Sequence, residues 1–169
     1  MKETARKIGQ AVIVGMGATA AMDATAEILR RCCGTQSLDY SLLGRWLGHM
    51  RRGRFRHASI TAAAPVPNER AAGWAAHYAI GSGFAVALVV VDSDWLDDPK
   101  LLPAVTTGLV TTAAPWFVMQ PAFGMGVAAS KTPRPGHALL GTLRTHTVYG
   151  AGLWISAVAL KQVRDRFTA

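Results

Sequence analysis

Four stretches of this chain carry no Asp, Glu, Lys or Arg: Ile8–Met22, Ala71–Val91, residues 101–130 and Thr145–Leu160. The third is longer than the roughly 20 apolar residues that cross a bilayer core. The pattern predicts an all-α integral membrane protein, a four-helix bundle with spans near residues 8–29, 71–91, 101–120 and 139–160. Arg30 and Arg31 close the first span, and Lys161, Arg164 and Arg166 follow the last. The connection from Cys32 to Arg70 is the most polar part of the chain. Within it, Leu38–Met50 has apolar residues at helical spacing, which predicts a short amphipathic interfacial helix. Tyr40 and Trp46 suit headgroup depth there. Pro65 and Pro67 disfavour helix before them and predict an extended hinge. Asp92, Asp94, Asp97 and Asp98 form an acidic loop after span two. Pro103 is tolerated in a first helical turn. Pro115 should kink span three and free the carbonyl of Thr111, and Pro121 should end it. The glycine-rich run Pro121–Ser130 reads as a re-entrant or interfacial loop, allowed where protein or water covers its backbone.

Composition sharpens this picture. A chain of 169 residues reads as a single transmembrane domain. Its 50% hydrophobic and 17% charged content leans toward membrane proteins. The long basic connection dilutes the mean hydropathy to +0.21. A net charge of +8 would point to nucleic acid in a soluble protein. Here the basic residues flank apolar spans, so the expected partner is membrane lipid, above all anionic headgroups, and not nucleic acid. Cys32 and Cys33 are adjacent, too close in the chain for an unstrained disulfide. Lys2, Arg6 and Lys7 before an apolar run, with Ala24-Thr25-Ala26 beyond it, resemble a secretory signal; the segment is read as the first span. With four spans the termini and the acidic loop share one side. The basic residues of the long connection, with Lys131 and Arg134, outnumber those of that side. The positive-inside rule then places the connection in the cytoplasm.

Polar groups inside spans are costly and usually face the bundle interior. Asp23 and His77 each lie about 10 Å inside one membrane face at 1.5 Å per residue. Gln120 ends span three on that face, and Arg144 and His146 open span four there. Antiparallel packing should therefore bring Asp23, Glu27, His77, Gln120 and His146 to one side. All but Gln120 belong to ladders at steps of four that include small residues: Gly15-Thr19-Asp23-Glu27, Gly73-His77-Gly81-Ala85 and His146-Gly150. Such residues share a helix face and allow close approach. The expected site is a polar pocket with Asp23, His77 and His146 as its floor. Arg45, His49, His57, Glu69 and Lys131 form its positive rim, which could attract phosphate or carboxylate groups or simply stay solvated.

Three chemistries fit these groups. A small or lipid-like ligand could bind in a transport-like role. Asp23, His77 and His146 could hold a transition metal, or the two histidines a haem. The same groups could also serve as interhelical hydrogen bonds, or as a proton relay. No HExxH, CxxCH, GxSxG or phosphate-binding glycine loop is present, so the sequence leans away from an enzyme.

GATAAMD (Gly17–Asp23), LDYSLLGRWLGHM (Leu38–Met50), GRFRH (Gly53–His57), GWAAHYAIG (Gly73–Gly81) and MQPAFGMGVAASKTP (Met119–Pro133) resemble an uncharacterised family of small bacterial membrane proteins, a domain of unknown function. The resemblance covers nearly the whole chain. It implies four spans in a bacterial inner membrane and supplies no activity, substrate or catalytic residue. The primary expectation is a ligand-binding or transport-like membrane protein. Its rivals are a non-catalytic subunit packed against other membrane subunits or itself, and a metal or haem enzyme.

Overall fold

The computed structural model describes residues 2–35 and 39–168. Among them the fold is all-helical: α1 (Lys2–Cys33), α2 (Tyr40–Met50), α3 (Glu69–Val91), α4 (Leu101–Val110), α5 (Gln120–Ala122) and α6 (Pro135–Thr168). A π-helical turn, Pro115–Met119, leads into α5, and a 3-10 turn, Val127–Ala129, follows it. Three stretches are long and apolar enough to cross a membrane: Lys2–Cys33, Glu69–Val91 and Leu101–Ala122. The fourth expected span lies within α6, which does not meet that measure. Its charge-free part, Thr145–Leu160, is shorter than a full crossing needs and is thinned by Thr145, His146 and Thr147.

Several boundaries differ from the expectations. Arg30 and Arg31 do not stop α1; they lie in its last turns and ion-pair to Glu27. A helix C-terminus favours cations, so the pair continues the helix there. The disturbance of span three begins before Pro115, after Val110, and the Thr111 carbonyl is not freed, because it accepts the Ala114 N–H at 3.1 Å. The extra residue per turn is absorbed instead in the π-helical segment, where the Gln120 N–H reaches the Pro115 carbonyl. The amphipathic helix forms as α2, capped by the Asp39 carboxylate, which accepts the Ser41 N–H at 2.9 Å. Leu38, where that helix was expected to start, lies outside the described residues. Cys32 and Cys33 are free and exposed.

The chain divides into two compact units. The first comprises residues 1–35, 78–110 and 145–169; the second comprises residues 36–77 and 111–144. The division falls within α3 and within α6.

In the first unit, small residues set the helix spacing. A Cβ on Gly15 would stand 2.6 Å from the Ser82 Cα and 2.9 Å from the Ala85 Cβ. One on Gly150 would stand 2.8 Å from the Ala104 carbonyl oxygen. The backbones thus touch where larger residues would hold them apart. Val14, Ala18, Trp95, Leu153 and Ala157 fill the core. The Thr19 hydroxyl is fully buried and donates to the Gly15 carbonyl one turn back, at 2.8 Å. The Tyr149 hydroxyl donates to the Gly81 carbonyl at 2.5 Å. At one end, the Lys7 ammonium stands 3.5 Å from both Asp94 and Asp97, and Arg164 stands 2.8 Å from Asp97. These pairs join the first turns of α1 and the last turns of α6 to the acidic loop.

Candidate functional site

The second unit is assembled around polar groups. α2 and α3 meet through Gly44 and Gly73. A Cβ on Gly44 would overlap the Glu69 carbonyl oxygen, and one on Gly73 the Tyr40 carbonyl oxygen. That contact brings Arg45 of α2 against Glu69, the first residue of α3. The pair is bidentate: Arg45 Nε donates to Glu69 Oε2 at 2.9 Å, and Nη2 donates to Oε1 at 2.7 Å. Arg45 Nη1 faces the carbonyls of Ile60, Thr61 and Ala63 at 3.2 to 3.3 Å. Glu69 Oε2 also accepts the Val66 N–H at 3.0 Å. Side-chain exposure is only 12% for Arg45 and 17% for Glu69. The Glu69 carboxylate beside it raises the Arg45 guanidinium above its already high range. Arg45 is therefore a clamp on the segment between the two helices, with its donors turned inward.

That clamped segment carries His57. Its backbone N–H donates to the Ala122 carbonyl at 2.9 Å, and the Ile60 N–H donates to Phe123 at 3.1 Å. Gly124, at φ +87°, makes room for this alignment, since a Cβ there would overlap the Ala58 carbonyl oxygen. Ile60, Ala122 and Phe123 are the buried apolar centre, with Leu42, Trp46 and Met119 packed on it.

His49 and His57 are both buried, and His49 Nδ1 lies 2.7 Å from His57 Nε2. His49 Nε2 lies 3.0 Å from the Ala64 carbonyl oxygen. A carbonyl can only accept, so His49 carries its proton on Nε2. In the neutral ring, Nδ1 is then an acceptor, and His57 must donate to it from Nε2. The remaining nitrogen, His57 Nδ1, is left as a bare lone pair. It is buried without a hydrogen-bond partner. Burial, reinforced by the positive charge of Arg54 and by His49, pushes the His57 imidazole below the ordinary histidine range. Gln120 Oε1 and Trp116 Nε1 are buried and without partners in the same unit.

The sequence-predicted residues separate into groups. Arg45, His49, His57 and Glu69, expected as a rim, come together as the polar interior of the second unit. Gln120 shares that unit, buried on α5. Lys131 lies there too, its N–H donating to the Met125 carbonyl at 2.9 Å while its side chain is exposed. Arg144 is exposed. His77 stacks on Tyr40, with ring centroids 4.0 Å apart. Glu27 pairs with Arg30 and Arg31 of its own helix at 2.6 Å. Asp23 and His146 belong to the first unit and His77 to the second; no single unit contains the expected three-residue floor. Asp23 takes a hydrogen bond from the Tyr78 hydroxyl. The His146 carbonyl packs on Gly108, where a Cβ would overlap it. Among the described residues no group of three His, Cys, Asp or Glu side chains is placed to hold a metal ion.

Two functional groups escaped the sequence reading. Trp116 reads as one more apolar residue of a span, and its indole N–H becomes visible only when burial is known. Tyr40 was singled out for headgroup depth alone, and its ring contacts, over His77 and edge-on against Trp74 at 4.6 Å, were not foreseen.

Residues 12–160 match the family model described as a protein of unknown function, DUF2938. The chain belongs to the DUF2938 family. No curated protein and no solved structure matches it. Membership in DUF2938 covers both compact units and the whole of the polar interior, and it carries no activity with it.

Proposed function

We propose that this DUF2938 protein is a four-span protein of a bacterial inner membrane that binds a small or lipid-like ligand in the polar interior of its second unit, in a binding or transport-like role. The observation that carries this reading is the half-buried Arg45–Glu69 pair and the buried His49–His57 pair gathered in one unit, in which buried polar atoms of His57, Trp116 and Gln120 stay unpaired. Buried polar groups are nearly always paired, so orphaned ones mark a place where a partner belongs. The pairing of Arg45 with Glu69 and three carbonyls argues against Arg45 as an anion receptor.

Three apolar stretches support the membrane assignment, and α6 supplies the proposed fourth span. At about 1.5 Å per residue its length exceeds a bilayer core of about 30 Å. Exposed Leu140 and Ile155 on it suit acyl chains. The excess of Lys and Arg in the connection favours a cytoplasmic second unit.

Native mass spectrometry of the full chain released from mild detergent tests the binding reading. A retained small mass on the wild-type protein should disappear from the His57→Leu/Gln120→Leu double variant. A wild-type spectrum of bare polypeptide and annular lipid, identical to that of the variant, removes the reading.

A further inference from the structure

The polar interior of the second unit specifies the chemistry of its occupant, an inference that rests on the location just proposed. Hydrogen-bond direction along the histidine pair is fixed from one end. The Ala64 carbonyl orients His49, His49 orients His57, and the chain of donors ends on His57 Nδ1 as an acceptor. His57 is only 5% exposed and Gln120 only 9%. Gln120 Oε1 is a second acceptor without a partner, and Trp116 Nε1, which can only donate, is an orphaned donor. The three lie in the same compact unit. The His57 N–H holds the Ala122 carbonyl, two positions beyond Gln120, and Trp116 stands one helical turn before Gln120.

Two acceptors and one donor define a complement. Carboxylate and phosphodiester groups bring only acceptors, and inorganic phosphate brings more acceptors than donors together with a net negative charge, so they would oppose the lone pairs of His57 and Gln120. A metal ion would find one imidazole nitrogen and one amide oxygen with no carboxylate to balance its charge, and an indole N–H facing it. A cation would meet Arg54, whose charge already disfavours protonation of His57. A neutral group with O–H donors and oxygen lone pairs satisfies all three atoms. We infer that the second unit holds a site for a neutral hydroxyl ligand, a bound water or a polyol, that donates to His57 Nδ1 and Gln120 Oε1 and accepts from Trp116 Nε1.

The test uses the full chain labelled with 15N at histidine and tryptophan side chains, in phosphatidylcholine nanodiscs. The probes are water itself, glycerol, inorganic phosphate and zinc ion. Expected are a His57 ring protonated on Nε2, polarisation transfer from water or glycerol to His57 Nδ1, and joint shifts of the His57 and Trp116 signals on adding glycerol. Gln120→Leu should weaken the glycerol response by about tenfold, as loss of one buried hydrogen bond implies. Trp116→Phe, which keeps a ring and removes only the donor, should weaken it similarly and covers the case in which Gln120→Leu fails to fold. A response that requires phosphatidylglycerol in the nanodisc assigns the hydroxyl to a lipid headgroup; one seen without it assigns a free molecule. A His57 ring protonated on Nδ1 alone overturns the inference. So does a response to phosphate or zinc with none to water or glycerol, or no response to any probe. If native mass spectrometry retains a ligand while zinc or phosphate moves these signals, the binding site stands and the hydroxyl assignment falls.

Discussion

The two units of this protein solve the burial problem in opposite ways. In the first, the helices approach through Gly15, Gly81, Gly108, Gly150 and Gly152, and the interior is apolar. Its buried hydroxyls, Thr19, Ser82 and Tyr149, each find a nearby carbonyl, and its ion pairs lie toward the helix ends. In the second, glycines again allow close approach, but what they bring into contact is an ion pair and a histidine pair. The apolar centre there is small, and three polar atoms stay unpaired. An interior whose hydroxyls bond nearby carbonyls is suited to holding helices together. An interior with polar atoms left over is less stable than it could be, and that surplus is where a ligand can act.

The sharpest way to break this comparison is to remove Glu69. Glu69→Ala strands the Arg45 guanidinium and should cost about 3 kcal/mol, because removing one member of a buried pair leaves an uncompensated charge. Hydrogen exchange should rise first at residues 60–64 and α2, with the first unit still protected. Equal loss of protection in both units would mean they do not differ in the way described. A smaller effect is expected from Tyr149→Phe in the first unit. Losing the hydroxyl leaves the Gly81 carbonyl without that donor and should cost about 1 kcal/mol, read as a shift in thermal midpoint. No change would show that the first unit does not depend on satisfying its few polar groups.

Acid supplies a third and gentler probe. The folded state holds His57 below its unfolded pKa of 6.5, so the unfolded chain binds the proton more readily. The stability from neutral His57 is fully present above pH 6.5 and declines as pH falls through that value toward the lower folded pKa. A His57→Phe variant should lose this part of the acid sensitivity, and exchange in the first unit should not follow it. If wild type and variant share the same acid profile, His57 is not the group responsible.

Much of the first unit was legible in the sequence because its logic is periodic. Steps of four through Gly15 and Thr19, and through Gly81 and Ala85, mark faces that do pack closely, and uncharged runs mark three of the four expected spans. The ladder reading was less informative about what the polar residues on those faces touch. Asp23 accepts from Tyr78, its neighbour across the helix contact, and Glu27 turns back to its own arginines. Residue counts give a position along a helix, but position does not specify which way a side chain turns. In the second unit, Arg45, His49, His57 and Glu69 were singled out by residue type, yet their partners were not. Those partners are backbone carbonyls and each other across gaps of eight to twenty-four positions, and no spacing rule joins them.

By itself the sequence determined that the chain is helical, that it carries stretches fit for a bilayer, and where its charges flank them. These follow from local composition and helical periodicity, which act along the chain. Only the tertiary structure decided that Arg45 is occupied by Glu69, that the proton order of the histidine pair ends in a lone pair, and that Trp116 Nε1 and Gln120 Oε1 are buried without partners. Such outcomes depend on distances and burial between segments remote in sequence. Hydrogen-bond satisfaction is a property of the packed interior, and it does not exist until the chain has closed around it.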